Sequence, residues 1–333
     1  MKRALAGALA VTVMSGCGAH REAPAASMPL RLDAAVRAGF DRAQLVRADR
    51  VFQATPGLFS VLVARRGHIV FERYYHGGAR GLEWNVFSVT KSVVSALVGI
   101  ALHDGDLRSV DERVVEFFPD KVEAHADPRI RAITLRELLT MTAGYRERPV
   151  AASDDWVRTS LNRPLESDPG ATFSYDSPSA HVVGAIVAKA TGEPLATFAQ
   201  RKLFTPLGIR PGTWATDGQG HQLGSTGLHL RARDLLRFGQ LYLQGGRWHG
   251  RQVVPAAWVR ESTTQHVSVP GGYGYGYLWW RNTGLHGGFI AVGFAGQMIA
   301  VFPRLDLVVV TTGHDEEVDR TAIVKLILRA DAR

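Results

Sequence analysis

Phe87-Ser88-Val89-Thr90-Lys91-Ser92 sets a serine and a lysine three residues apart at the head of an apolar run. On a helix that spacing stacks the two side chains one turn apart on one face, so the lysine amine can take the serine's proton. A serine hydroxyl is a weak nucleophile until a neighbour accepts that proton, and lysine does so only where burial or nearby cations keep its amine neutral. From Val89 to Leu102 the run is apolar on almost every face, as in a helix buried inside a domain, and His103-Asp104-Gly105 ends it on a glycine stop. A plainer reading competes: Ser88 caps a core helix and Lys91 snorkels to the surface.

The chain has 333 residues, 46% hydrophobic and 21% charged, the composition of a soluble globular enzyme with one large core or two lobes. Lys2-Arg3, the apolar stretch Ala4 to Met14 and Ser15-Gly16-Cys17 read as a secretion signal over residues 1–16, too short to span a bilayer as a stable helix. The small residues before Cys17, the sole cysteine, resemble the lipobox of bacterial lipoproteins, although Met14 stands where leucine is usual. That resemblance implies an acylated, palmitate-bearing Cys17 as the first mature residue and a membrane anchor; conventional cleavage without lipid is the alternative. Gly18 after Cys17 favours the outer membrane of a diderm cell, with the chain on the periplasmic side of the envelope, and residues 17–31 read as a tether rich in Ala and Pro.

One cysteine excludes an internal disulfide, and neither His-Glu-x-x-His nor paired Cys-x-x-Cys occurs, so no metal and no cofactor is expected. Removing Lys2 and Arg3 with the leader lowers the formal charge from +8 to +6. Of 39 basic residues only six are lysine, and the arginines are scattered, which describes a solvated surface and no nucleic-acid partner. No Gly-x-Ser-x-Gly elbow is present, which excludes the usual α/β-hydrolase route.

Folded sequence is expected to start near Leu32. Phe59 to Ala64, the turn Arg65-Arg66-Gly67 and His68 to Tyr75 read as a β-hairpin. Thr134-Leu135-Arg136-Glu137 is a capping box opening a helix from Leu135 to Thr142, closed by Ala143-Gly144. Ser177-Pro178 starts another, carrying Ala180 to Ala190 and stopping at Gly192. Further helices are expected at about Arg233–Leu243, Pro255–Ser262 and Val318–Arg329. After Gly271 come strands at Tyr273–Trp280, Ile290–Pro303 and Leu305–Thr312. Two early and three late strands predict an α+β fold: an antiparallel five-stranded sheet flanked by helices and formed from both chain ends. A mostly helical lobe over about residues 105–265 is inserted in a domain of residues 32–333.

Three further segments accompany the Ser-x-x-Lys pair: Leu135-Arg-Glu-Leu-Leu-Thr-Met-Thr-Ala-Gly144, Pro169-Gly-Ala-Thr-Phe-Ser-Tyr175-Asp-Ser177, and Ala291-Val-Gly-Phe-Ala-Gly-Gln297 leading into Val301 to Val310. In this order the four resemble the serine-hydrolase family of class C β-lactamases, D-alanyl-D-alanine carboxypeptidases and esterases. The nearest branch is that of nylon-oligomer (aminohexanoate-dimer) hydrolases, where Gly-Phe-x-Gly-Gln and Tyr-x-Ser are usual. The resemblance covers about residues 45–330 and implies a β-lactamase/transpeptidase-like fold. It implies Ser88 as the acylated nucleophile of an ester or amide hydrolase, with Lys91 and Tyr175 as its proton relay. Which of those two is the base in acylation stays open, and they are expected to titrate as a coupled set.

The same resemblance implies the backbone N–H groups of Ser88 and Phe294 as oxyanion donors. It places Ser177, Gly293, Gly296, Gln297 and His286 about the substrate pocket. Ser177 stands where class C enzymes have asparagine and equally suits a helix cap. No lysine fills the Lys-Thr-Gly slot: Ala291-Val292-Gly293 occupies it in one alignment and His286-Gly287-Gly288 in another, which would move the second donor to Phe289. Loss of that cation argues against efficient penicillin hydrolysis and for small esters or amides without a terminal carboxylate. Trp84, Tyr273, Tyr275, Trp279 and Trp280 line an apolar acyl pocket in one reading and simply form core in the other. The alternative function is a non-turnover binding or sensor module for cell-wall peptide or a β-lactam. Oligomeric state has no signature in the chain.

Overall fold

Leu58–Arg65 and His68–Tyr74 form the hairpin that the glycine turn dictates, with Arg66 and Gly67 both at positive φ. The computed structural model describes residues 32–146, 150, 152–282 and 286–331; the expected leader, Cys17 and the tether lie outside them. From the hairpin an antiparallel sheet runs in the order His68–Tyr74, Leu58–Arg65, Leu307–Gly313, Met298–Phe302, Phe289–Val292, Trp280–Asn282, Tyr273–Tyr275 and Val267–Val269.

The sheet joins both chain ends, but it has eight strands where five were predicted. The apolar run Ile290–Pro303 folds back on itself through Gly293–Gln297, and Tyr273–Trp280 breaks after Tyr275. Glycines at 276, 293 and 296 let the chain reverse inside stretches whose side chains alone read as continuous strand. The short edge strand Val267–Val269 is the eighth.

Both faces of the sheet are covered, so every residue of Leu58–Arg65 is buried and the alternation of a half-exposed strand is lost. On one face Leu62 and Ala64 join the larger core with the helices Val89–Asp104 and Ala232–Leu243. On the other, Leu58, Val61 and Val63 pack with the helices Arg42–Gln53 and Arg320–Ala330. Every residue from Val89 to Ala101 is buried. Each valine or leucine in that run contributes about 1.5–3 kcal/mol. Gly99 sits in the run because a Cβ there would lie 2.1 Å from the Trp258 ring. Among the described residues no helix is long and apolar enough to cross a membrane.

The helix Ser177–Thr191 is anchored at its inner face by a buried polar knot. His181 Nε2 and His221 Nδ1 each lie 3.2 Å from Asp217 Oδ2, while Oδ1 accepts the N–H groups of Gln219 and His221 at 3.0 and 2.9 Å. Burial pushes the Asp217 carboxyl up, but the bonds from His181 and from the His221 backbone and ring outweigh it and hold it well below the usual carboxylate range. Such a group stabilises the fold above its unfolded pKa, about 3.9, and loses that contribution as pH falls towards the folded value. Asp217→Asn is therefore expected to cost about 1 kcal/mol less at pH 3 than at pH 7 in urea unfolding. An equal cost at both pH values would refute the assignment.

Candidate active site

A ribbon of Glu83–Asn85 against His229–Arg231 delivers the chain to the helix Val89–Asp104. At the bend Phe87 takes φ +47°, a left-handed backbone that a bulky residue keeps only when its surroundings hold it. Asn85 holds it, its Oδ1 accepting from Phe87 N–H at 2.8 Å and from Gly227 N–H at 3.3 Å. The bend is thereby tied to the loop containing Ser225.

Ser88 follows at the helix N-cap position, yet its side chain caps nothing. Lys91 Nζ instead lies 2.8 Å from Ser88 Oγ, 3.1 Å from Ser177 Oγ and 3.1 Å from the Ser225 carbonyl oxygen. Lys91 is 2% exposed, and among the described residues no carboxylate lies within ion-pair distance of it. Capping and snorkelling both fail as explanations, since the amine is turned inward onto the serine. Three acceptors match the three protons of an ammonium; when the amine is neutral, one hydroxyl turns to donate to it.

The segment around Leu135–Leu139 holds the Tyr175 loop. Its capping box forms, with the Glu137 carboxylate accepting Thr134 N–H at 2.7 Å. The helix ends at Leu139, before the expected Thr142, and Met141 turns to φ +60°. The chain freed there accepts three bonds from the loop: Ser174 N–H to Met141 O at 2.8 Å, Gly170 N–H to Thr142 O at 2.8 Å, and Asp176 N–H to Met141 Sδ at 3.3 Å.

Asp176, not Ser177, caps the helix Ser177–Thr191, accepting Ser179 N–H at 3.0 Å. Its carboxylate also takes both arms of Arg163 at 2.7 and 2.6 Å, with both side chains buried. Released from capping, the Ser177 hydroxyl faces Lys91. The Tyr175 ring centroid lies 5.0 Å from Lys91 Nζ, with the ring stacked on Trp280 at 5.6 Å and edge-on to Tyr275 at 6.5 Å. Burial, then the nearby Tyr175, push the Tyr275 phenol well above its ordinary value, so Tyr275 serves as a neutral packing group. Of the expected aromatic set, Tyr275 and Trp280 reach Tyr175. Trp84 stacks on Phe59 at 4.1 Å, and Trp279 is core against Tyr242.

Gly293 ends the strand Phe289–Val292 against the bend before Ser88. A Cβ there would lie 2.4 Å from Val86 O, so only glycine permits the approach. The next residue, Phe294, meets the Phe87 ring edge-on at 5.4 Å. Among the described residues neither Ser88 N–H nor Phe294 N–H has a hydrogen-bond partner. His286 is exposed at the opposite end of this strand, where Gly288 packs on Phe302. Gly296, at φ +89°, and Gln297, whose amide donates to Gly313 O at 2.6 Å, serve the turn itself. The structure thus gathers Ser88, Lys91, Tyr175, Ser177, Gly293 and Phe294, sets Gly296 and Gln297 in the turn that braces Gly293, and leaves His286 at the far end of the strand.

Asn85, the Ser225 carbonyl and the Arg163–Asp176 pair escaped sequence reasoning. The available signal for Ser225 was its flanking glycines: a Cβ on Gly224 would stand 3.2 Å from Gly184 Cα, marking close approach of that loop to the Ser177 helix. Among the described residues no cluster of His, Cys, Asp and Glu could hold a metal ion.

Residues 42–332 match the family model described as Beta-lactamase. The chain belongs to that family. This Beta-lactamase-family chain is 28% identical over 287 residues to the 6-aminohexanoate-dimer hydrolase of Paenarthrobacter ureafaciens, covering 75% of this chain and 70% of that one. It is 29% identical over 219 residues to esterase EstB of Burkholderia gladioli, covering 56% of this chain and 51% of the relative. A penicillin-binding protein homologue from Caulobacter crescentus superposes with a TM-score of 0.70 at 17% identity, over 87% of this chain and 97% of that one, a likeness of fold. With family relatives named as hydrolases and esterases, the chain is a serine hydrolase.

Proposed function

We propose that this serine hydrolase cleaves an ester or amide bond by way of an acyl-Ser88 intermediate. The observation that carries the reading is the buried Lys91 amine, 2.8 Å from Ser88 Oγ and without a carboxylate partner among the described residues. Ser88 Oγ bonds to the acyl carbon as its proton passes to Lys91 Nζ. The carbonyl oxygen gains charge between the unpartnered N–H groups of Ser88 and Phe294, which cost no reorganisation when the charge develops. The leaving group departs with the Tyr175 hydroxyl proton, and Lys91 restores it. Water then attacks the acyl carbon through the same relay in reverse, releasing the acid and regenerating Ser88.

The contact of Gly293 with Val86 supports Ala291-Val292-Gly293 as the counterpart of the Lys-Thr-Gly strand, with His286-Gly287-Gly288 at its far end. With no lysine in that slot, small esters and amides lacking a terminal carboxylate are preferred over penicillins. Relatives named as an esterase and as a hydrolase of an aminohexanoate dimer agree with ester and amide cleavage. A fluorophosphonate probe is expected to add once, on the tryptic peptide holding Ser88; a label on any other residue would sink the proposal. Short-chain nitrophenyl esters are expected to turn over repeatedly and a chromogenic cephalosporin far more slowly. A burst of one product per chain with no later turnover would favour the binding module instead.

We infer from the leader that residues 1–16 direct export and that a lipid on Cys17 holds the enzyme to the outer membrane, facing the periplasm, through the tether of residues 17–31. An unmodified mature terminus in mass spectrometry would remove the anchor.

A further inference from the structure

Arg320 opens the last helix, Arg320–Ala330, and sends its guanidinium back to the sheet, where Nη1 donates to the Gly293 carbonyl at 3.0 Å. That carbonyl and the Phe294 N–H belong to one peptide unit. Partial burial lowers the Arg320 pKa against the opposing charge of Asp319, yet arginine remains cationic in proteins. Among the described residues no carboxylate lies within ion-pair distance of Arg320. The guanidinium, half-buried and offset in charge only by the neighbouring Asp319, makes its hydrogen bond to a peptide carbonyl beside the reactive centre. A positive charge on a peptide oxygen draws electron density from the amide, making its N–H a stronger donor, and hydrogen bonds in series reinforce one another in this way. The peptide also needs bracing: Gly293 N–H is bound to Gln297 O at 2.8 Å, and the turn then passes through Ala295 at φ +54°.

We propose that Arg320 is a positioning residue that fixes the Gly293–Phe294 peptide and strengthens the Phe294 N–H as a donor to the developing oxyanion. The inference rests on the acyl-Ser88 reading. Removing one oxyanion donor outright costs about 10²–10³ in rate, so weakening one is expected to cost about tenfold.

The test uses Arg320→Met and Arg320→Lys. Arg320→Met is expected to slow fluorophosphonate labelling about tenfold and to weaken inhibition by a phenylboronic acid, whose serine adduct is a tetrahedral anion, by the same factor. KM for an uncharged nitrophenyl ester is expected to stay within about twofold, because the ground state makes little use of the oxyanion donor. Arg320→Lys, which keeps the charge, is expected to stay within about threefold of wild type in both assays. Should Arg320→Met fail to fold, Arg320→Gln carries the same expectation. Unchanged labelling in the neutral variant, an equal loss in Arg320→Lys, or a KM rise confined to anionic esters would each overturn the proposal, the last by assigning Arg320 to substrate binding. Wild-type labelling at Ser88 in the same assay tests the underlying reading separately.

Discussion

Lys91→Met is expected to lower kcat/KM for a nitrophenyl ester by about 10³–10⁴ while the chain stays folded. Methionine keeps the volume of the buried stem and removes only the amine, so packing around it changes little. What is lost is the acceptor 2.8 Å from Ser88 Oγ, and among the described residues no histidine or carboxylate bonds to that hydroxyl in its place. The Ser225 carbonyl loses its donor, at about 1–3 kcal/mol if water does not replace it. Melting followed by circular dichroism, run beside the kinetics, separates the two effects. A folded variant keeping more than a tenth of the wild-type kcat/KM would mean that another group takes the Ser88 proton.

The largest stability effect is expected at Arg163. Arg163→Met leaves the Asp176 carboxylate enclosed without its cation, and breaking a buried pair on one side costs about 3–5 kcal/mol. The Asp176 carboxylate also caps the Ser177 helix, so the disturbance is delivered to Tyr175 and Ser177, the residues on either side of it. Activity is therefore expected to fall along with stability. Arg163→Met combined with Asp176→Asn is expected to be less destabilised than Arg163→Met alone, since the uncompensated charge is gone and the asparagine oxygen still caps. Urea unfolding of the three variants measures this. A loss below about 1 kcal/mol for the single arginine variant would show that water already reaches the pair.

The Ser88–Lys91 pairing was legible in the chain because helical spacing alone determines which side chains share a face. The Leu135 and Tyr175 segments were legible by resemblance, and the fold class followed with them. Strand number was not, because an apolar run such as Ile290–Pro303 does not announce that Gly293 and Gly296 reverse it. Whether Ser177 caps the helix or faces the site stayed open in the sequence, because the residue that takes the cap, Asp176, is held there by an arginine 13 positions away. Ser225 contributes a carbonyl, a group that every residue carries and that no side chain advertises. Asn85 acts through a backbone bend at Phe87 and a bond to the distant Gly227, neither of which the side-chain pattern of the chain announces.

Leu307–Gly313 is seated between Leu58–Arg65 and Met298–Phe302, with the Ser60 and Thr312 hydroxyls bonded at 2.7 Å across 252 positions of chain. During synthesis the early hairpin must therefore wait, one apolar flank unpaired, until Leu307–Gly313 has left the ribosome. That interval is when the nascent chain is most open to mispairing and in most need of a chaperone. A message cut short near codon 305 would yield no enzyme at all, because the missing piece is an inner strand of the sheet.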